Sequence, residues 1–581
     1  MKRVFILITA TFLLLIIITA FRNKHNNKRK DSREVVKELE QKRLTAIGCG
    51  SLIDFEEMEE TYMPLLKGWG NYTFPVTTSS DSAQVYFNQG INMYYAFHII
   101  EAMGSFKKAA AFDPGCAMAW WGQALSYGPN INDFGYSASP EALTANSKAL
   151  ELSASCTERE KALIHAMQVR YTADTTQSRE KLNQLYVDAM KAATDKLPSD
   201  ADIAALYADA LMVQHPWDLY EHNGQPKPWT PLIATVLEKT LKLSPKHPGA
   251  NHYYIHTVEG SLKPDRALTA ARQLPGLMPG VSHIVHMPSH IYIRTGDYAE
   301  GEQVNEQALT GYDNYLQSYS PVVNAAFLYQ LHNQHMQANC GILEGRYAYS
   351  LQAANECRKS IDTTYLDIPG YFGTYSQYAF MTPYFTLIRF GKWDDILKEK
   401  SMGENRSYGA VIYHFGRGLA FARKHLFDEA TKELASMQRS MKDSVMLISA
   451  STFNPPIAGA SVGEKILEGV IAAEKNDLRN AISFLQAAVQ LEDNMMYAEP
   501  KDWPLPARHY LGDVLLKAGK SAAAEQVFRD DLKTNPKNGW ALTGLEQSLI
   551  AQKKQKEAAS VKPLLDKAFA RADMEIKGSA L

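Results

Sequence analysis

Seven of the sixteen histidines fall between His252 and His335, at steps that matter chemically. His252 and His256 are four residues apart, His283, His286 and His290 follow at steps of three and four, and His332 and His335 are three apart. On a helix such steps return side chains to one face, and two imidazoles at i and i+4 chelate a single ion. Glu259, three residues after His256, offers a carboxylate, either as a ligand or as the acceptor that orients a histidine. A set rich in imidazole and poor in carboxylate suits zinc, copper, iron or nickel better than calcium or magnesium. The expected ligands are a subset of His252, His256, His286 and His290, with Glu259, His283 and His335 next. An incompletely filled site of this kind activates water or dioxygen.

The bland alternative is a set of core histidines bonded to backbone and carboxylates, and for any one histidine it is the better account. Clustering on neighbouring helices is what favours a metal. Nothing in the chain identifies a reaction: a phosphate-cradling glycine loop, a Rossmann fingerprint and an H-E-x-x-H motif are all missing.

The elements that must carry these histidines are helices. Beyond residue 80 apolar residues recur at helical spacing between short turns of Gly, Asp, Asn or Pro, with almost no strand signal. In LGDVLLKAGKSAAAEQVFRDDLKTNP (511–536), Gly512, Gly519, Ala524, Phe528 and Pro536 form one unit, and EAMGSFKKAAAFDP (101–114) repeats its second half. Small residues let two antiparallel helices approach, the aromatic fills the gap to the next pair, and proline stops the second helix. This pattern resembles the tetratricopeptide repeat, a helix–turn–helix unit of about 34 residues. Further units fall around residues 296–298, 345–347, 391–393, 425–427 and 476–478. The resemblance implies an all-α, right-handed superhelical solenoid whose first helices line a concave, ligand-binding groove. The stretches AQVYFNQGINMYYAF, FDPGCAMAWWGQAL, HPGANHYYIHTVEG, HMPSHIYIRTGDY and EPKDWPLPARHYLGDVLLKAG with NPKNGWAL also resemble a family of large bacterial tetratricopeptide proteins. That likeness implies the fold and brings no settled activity.

Counting back from the turn glycine sets the register. His283, His286 and His290 lie thirteen, ten and six residues before Gly296, with Arg294 two before it. His332 and His335 take the thirteen- and ten-back places before Gly345. In the preceding unit Leu262 stands in the glycine place, so His252 and His256 are ten and six back and Glu259 three back. The unit ending at Gly391 has Tyr378, Met381 and Phe385 where the histidines stood, while Arg389 repeats Arg294. Both arginines are therefore read as helix-end cations near terminal carbonyls. His332, Asn339, Arg294 and Met381 are expected to line the groove. The insertion HPWDLYEHNG (215–224) is read first as a simple loop and second as a lid, and YAEPKDWPLPARHY (497–510) as a loop that re-enters a helix.

Charge and cysteine content exclude some classes. With 61 basic and 63 acidic residues, net −2, there is no electrostatic case for a nucleic-acid partner. The five cysteines form no CxxC pair, which argues against a disulfide framework or a cysteine zinc finger; Cys49 is an ordinary cysteine despite its Gly-rich setting. After a leader at 1–3, residues 4–21 (VFILITATFLLLIIITAF) are uncharged and are expected to act as a membrane anchor or uncleaved signal. The basic residues after the span favour a cytoplasmic body and the short leader favours an extracytoplasmic, periplasmic one; the latter is preferred and the former stays open. Residues 22–80 read as a polar linker and lead-in, 81–560 as the repeat array, and 561–581 as a C-terminal helix and tail. The expectation is an anchored scaffold with a protein or peptide partner in its groove and a transition metal, zinc, copper or iron, on its histidines. The alternative is a metal-dependent enzyme acting there on a small-molecule or peptide substrate.

Overall fold

The structure is a computed structural model in which residues 63–131, 140–174, 176–318, 326–450 and 453–581 are described. Among them there is no strand, only one isolated bridge between Tyr220 and Pro226. Helices pack in consecutive antiparallel pairs, beginning with Asp81–Tyr95 against Ile99–Phe112 and ending with Gly539–Ala551 against Gln555–Ala568. Many starts are capped as local chemistry demands. Ser80 accepts from the Ala83 amide, and Thr157 and Glu160 form a reciprocal capping box.

The small-residue logic holds in three dimensions. A Cβ added at Gly90 or Gly122 would run into the ring of Phe106, and one at Gly512 or Gly544 into that of Phe528. Each buried aromatic, projecting from a second helix, therefore wedges between two successive first helices, which is the tetratricopeptide-like packing the sequence implies. Gly296 ends its helix in the left-handed region (φ 74°) against the Pro536 carbonyl, so a side chain there would be both strained and blocked.

Two corrections to the domain reading follow. Residues 63–80 are not a polar lead-in: Met63, Trp69 and Phe74 are buried in the same core as the first three helices, and the Gly280 amide donates to the Gly68 carbonyl at 2.8 Å. At the other end, the boundary at 560 falls inside helix Gln555–Ala568, and the chain beyond it packs back on the middle of the protein. There Asp573 accepts from the Tyr347 amide at 2.6 Å and Arg571 pairs with Glu302 and Glu344 at 2.6 and 2.9 Å. Tyr298 donates to the Pro536 carbonyl and Trp540 to that of Ile342, both at 2.9 Å. The array thus returns upon its own central units. Among the described residues no helix is long and apolar enough to cross a membrane, and residues 4–21 and Cys49 lie outside the described residues.

Candidate metal centre

The first helix of the site, Pro248–Val258, carries His252 and His256 one turn apart. His247, which precedes it, is a different kind of histidine: its Nδ1 accepts from the Ala250 amide and its Nε2 faces Asp202, so it caps the helix. The second helix is broken. Pro288 has no N–H to give, and the chain runs as Ser282–His286 followed by Pro288–Thr295. The third, Ala326–Leu343, carries His332 and His335.

These helices bring six imidazoles together as two sets of three. In the first, His252 Nε2 lies 3.1 Å from His256 Nε2 and 3.2 Å from His283 Nε2. In the second, His290 Nε2 lies 2.9 Å from His286 Nε2 and 3.2 Å from His332 Nε2. The register explains both sets by one rule. Each takes the ten- and six-back histidines of one unit and the thirteen-back histidine of the next. The middle helix is divided accordingly: His283 reaches back to the preceding helix, while His286 and His290 meet His332 of the following one.

Applied once more, the rule also says why the series stops. The third place would be His335, Asn339 and Tyr378. Asn339 is spent donating to the His335 carbonyl on its own helix at 2.9 Å, and the His335 ring meets Tyr378 edge-on with centroids 5.0 Å apart. His335, expected among the ligands, is therefore not brought to either set, and His332, expected only to line the groove, is. Met381 is buried, and Arg294 donates to the Ser261 carbonyl at 2.9 Å with its guanidinium 5.2 Å from the centre of the Tyr497 ring.

The far sides of the rings fix their protons. His252 Nδ1 donates to the Tyr95 carbonyl at 2.7 Å, and His256 Nδ1 to Glu259 Oε1 at 3.1 Å. Asn305 gives its amide N–H to the Gly301 carbonyl, which turns its Oδ1 towards His286 Nδ1 at 2.6 Å. His290 Nδ1 lies 2.8 Å from Glu259 Oε2, an ion-pair contact rather than an aligned hydrogen bond. With Nδ1 committed on the far side, His252, His256 and His286 each turn Nε2, the remaining ring nitrogen, towards its set.

Glu259 thus accepts from neither metal side. It stands behind one histidine of each set, touching His256 and His290, the usual place of a carboxylate that orients metal-bound imidazole. Burial alone would raise its pKa, yet His290 and His256 override it and hold it at about 2. Burial pushes His252, His283, His286 and His332 well below the ordinary histidine value, and neighbouring imidazoles push the same way. His290 alone rises: burial opposes it, but Glu259 and then Glu499 win.

Sequence reasoning missed Phe97 and placed Glu499 and Trp217 only within loops. Glu499, in a proline-rich loop, sits 3.5 Å from His290 Nδ1 with both buried oxygens lacking a hydrogen-bond partner; burial pushes it up to about 8 against the pull of His290. Phe97 covers the first set, its ring centre 4.5 Å from that of His252. Trp217 meets His256 edge-on at 5.2 Å, so the 215–224 insertion, read first as a simple loop, packs against the site. Phe97 and Trp217 both hold the left-handed backbone, φ 59° and 60°, a strained state for bulky residues that collects at functional sites.

No protein-family model matches the chain, and no curated protein does. Solved structures resemble it at low levels. The APC/C hetero-tetramer Cut9–Hcn1 is 13% identical with a TM-score of 0.29, covering 85% of this chain and 76% of that one. The human IFIT1 dimer with PPP-AAAA is 12% identical with a TM-score of 0.34, covering 86% and 96%. Yeast Tom70 is 9% identical with a TM-score of 0.27, covering 85% and 93%. Likeness of this size says nothing about ligand or partner.

Proposed function

We propose that this chain is a helical-repeat metalloprotein that holds two transition-metal ions, one in each histidine set. The supporting observation is the convergence of six imidazoles as two sets of three, with the His252, His256 and His286 rings already committed at Nδ1. A metal at about 2.0–2.1 Å from each nitrogen spaces its ligands by roughly 3.3–3.6 Å; two nitrogen pairs in each set stand at 2.9–3.2 Å and all three lie within 4.8 Å. The sequences HPGANHYYIH and HMPSHIYIRTGDY, which carry the likeness to large bacterial tetratricopeptide proteins, supply four of the six ligands. The test is elemental analysis of untagged protein prepared without chelators, before and after reconstitution with zinc, copper and iron. Two equivalents per chain are expected; none under any of these conditions rejects the assignment.

A metal-dependent enzyme is the second reading, favoured by a cavity of about 40 Å³ beside His256 and Glu259, walled by Trp217, Tyr220, Phe453 and Tyr497. Three protein ligands leave a coordination position for an exogenous molecule, and the cavity has room for one of water-like or diatomic size. A protein or peptide partner would use first-helix surface away from the histidines, where the chain's own residues 217–220 and 497–503 do not intrude. Anchoring through residues 4–21 with a periplasmic body belongs to the same proposal, on the hydropathy of that stretch; fractionation of full-length and truncated chains checks it.

A further inference from the structure

On the metalloprotein reading two ions share this region, and their charges decide which ions those are. The two histidine sets are one repeat step apart, which for packed helices is about 8–10 Å. Across the boundary the rings are closer still, with centroids of 6.1 Å for His256 and His290 and 6.3 Å for His283 and His286. All six ligands are imidazoles, which bind a metal as neutral donors, and no thiolate or carboxylate joins either set. The compensating charge is at most two carboxylates, Glu259, which serves both sets, and Glu499. The surroundings give little screening: five of the six ligand histidines are buried, Phe97 lies over His252 with its ring tilted, and His283 stacks on Tyr329 at 4.3 Å.

Resting on the metalloprotein reading above, we propose that the pair of sites takes two monovalent copper ions, with Glu259 as their shared counter-charge. Two copper(I) ions bring +2, which one or two carboxylates offset. Two divalent ions bring +4, and their mutual repulsion, which scales with the product of the charges, is four times larger at the same separation. Three nitrogens without a fourth protein ligand also match the low coordination number that copper(I) accepts, whereas zinc on three histidines needs an exogenous fourth ligand. The sites thus hold the cuprous state through a lack of anionic ligands, not through soft ones.

The test loads the full chain anaerobically with copper(I) or with zinc, titrating against a competing chelator. For copper(I), two equivalents are expected, the second no more than about tenfold weaker than the first, with an X-ray absorption edge of three-coordinate copper(I). For zinc, the second equivalent is expected to bind at least a hundredfold more weakly than the first. In Glu259→Gln the second copper(I) equivalent should weaken more than the first while helical content is retained. Two zinc ions bound with similar affinity, or zinc displacing copper(I) from both sites, would overturn the copper assignment and leave the metal centre standing. Failure of both metals to bind would instead remove the centre itself.

Discussion

Glu259 touches His256 with one carboxylate oxygen and His290 with the other, at 3.1 and 2.8 Å, so one side chain stands behind both histidine sets. Its removal is therefore expected to act on both ions. Glu259→Gln keeps the shape and loses the charge; the loss in metal affinity should be about 10–100-fold, measured by chelator competition. An effect confined to one equivalent would show that the carboxylate serves a single set.

The division of the histidines predicts which equivalent each substitution removes. His252→Ala should leave one ion, held by His286, His290 and His332, and His290→Ala should leave one, held by His252, His256 and His283. His335→Leu should retain both. Metal content after desalting decides, with circular dichroism to confirm the fold.

The repeat rule can be extended by design. Asn339 and Tyr378 occupy the places that would complete a set with His335. Asn339→His combined with Tyr378→His is expected to raise the metal count from two to three. An unchanged count in a folded double variant would mean that register alone does not make a site.

Trp217 and Phe453 wall the cavity beside His256. Trp217→Ala should therefore speed the loss of one ion to an added chelator, while the number of ions bound at equilibrium stays at two. Stopped-flow chelation measures this, and unchanged rates would make the insertion a packing element only.

His335 is a buried neutral histidine, pushed down to about 3 by burial. Unfolded, it takes up a proton near pH 6.5; folded, it does not until much lower pH. Between these values the unfolded chain binds more protons, so stability rises with pH and is lost as pH falls from 6.5 towards 3. The contribution is on the order of 1 kcal/mol per pH unit. In urea titrations of metal-free protein, His335→Leu should flatten the pH dependence in that window.

How much of this was legible in the sequence follows from the range of each interaction. Helical periodicity is a local property, set by about 100° per residue, and so the pairing of helices, the wedge of Phe106 and Phe528 between glycines, and the crowding of histidines on three successive first helices could all be counted along the chain. What the count left open was the partition. His283 and His286 sit on one broad face, yet they differ by about 60° around the helix, enough to send one to the preceding helix and the other to the next. That choice depends on how far neighbouring helices are offset, which only their packing fixes. The same holds for His332 over His335, and for Phe97, Trp217 and Glu499, delivered by turns and loops distant along the chain. The sequence determined a histidine-bearing helical array by itself; tertiary packing decided that the histidines meet as two sets of three, because convergence of side chains from separate helices is a long-range relation that no local spacing encodes.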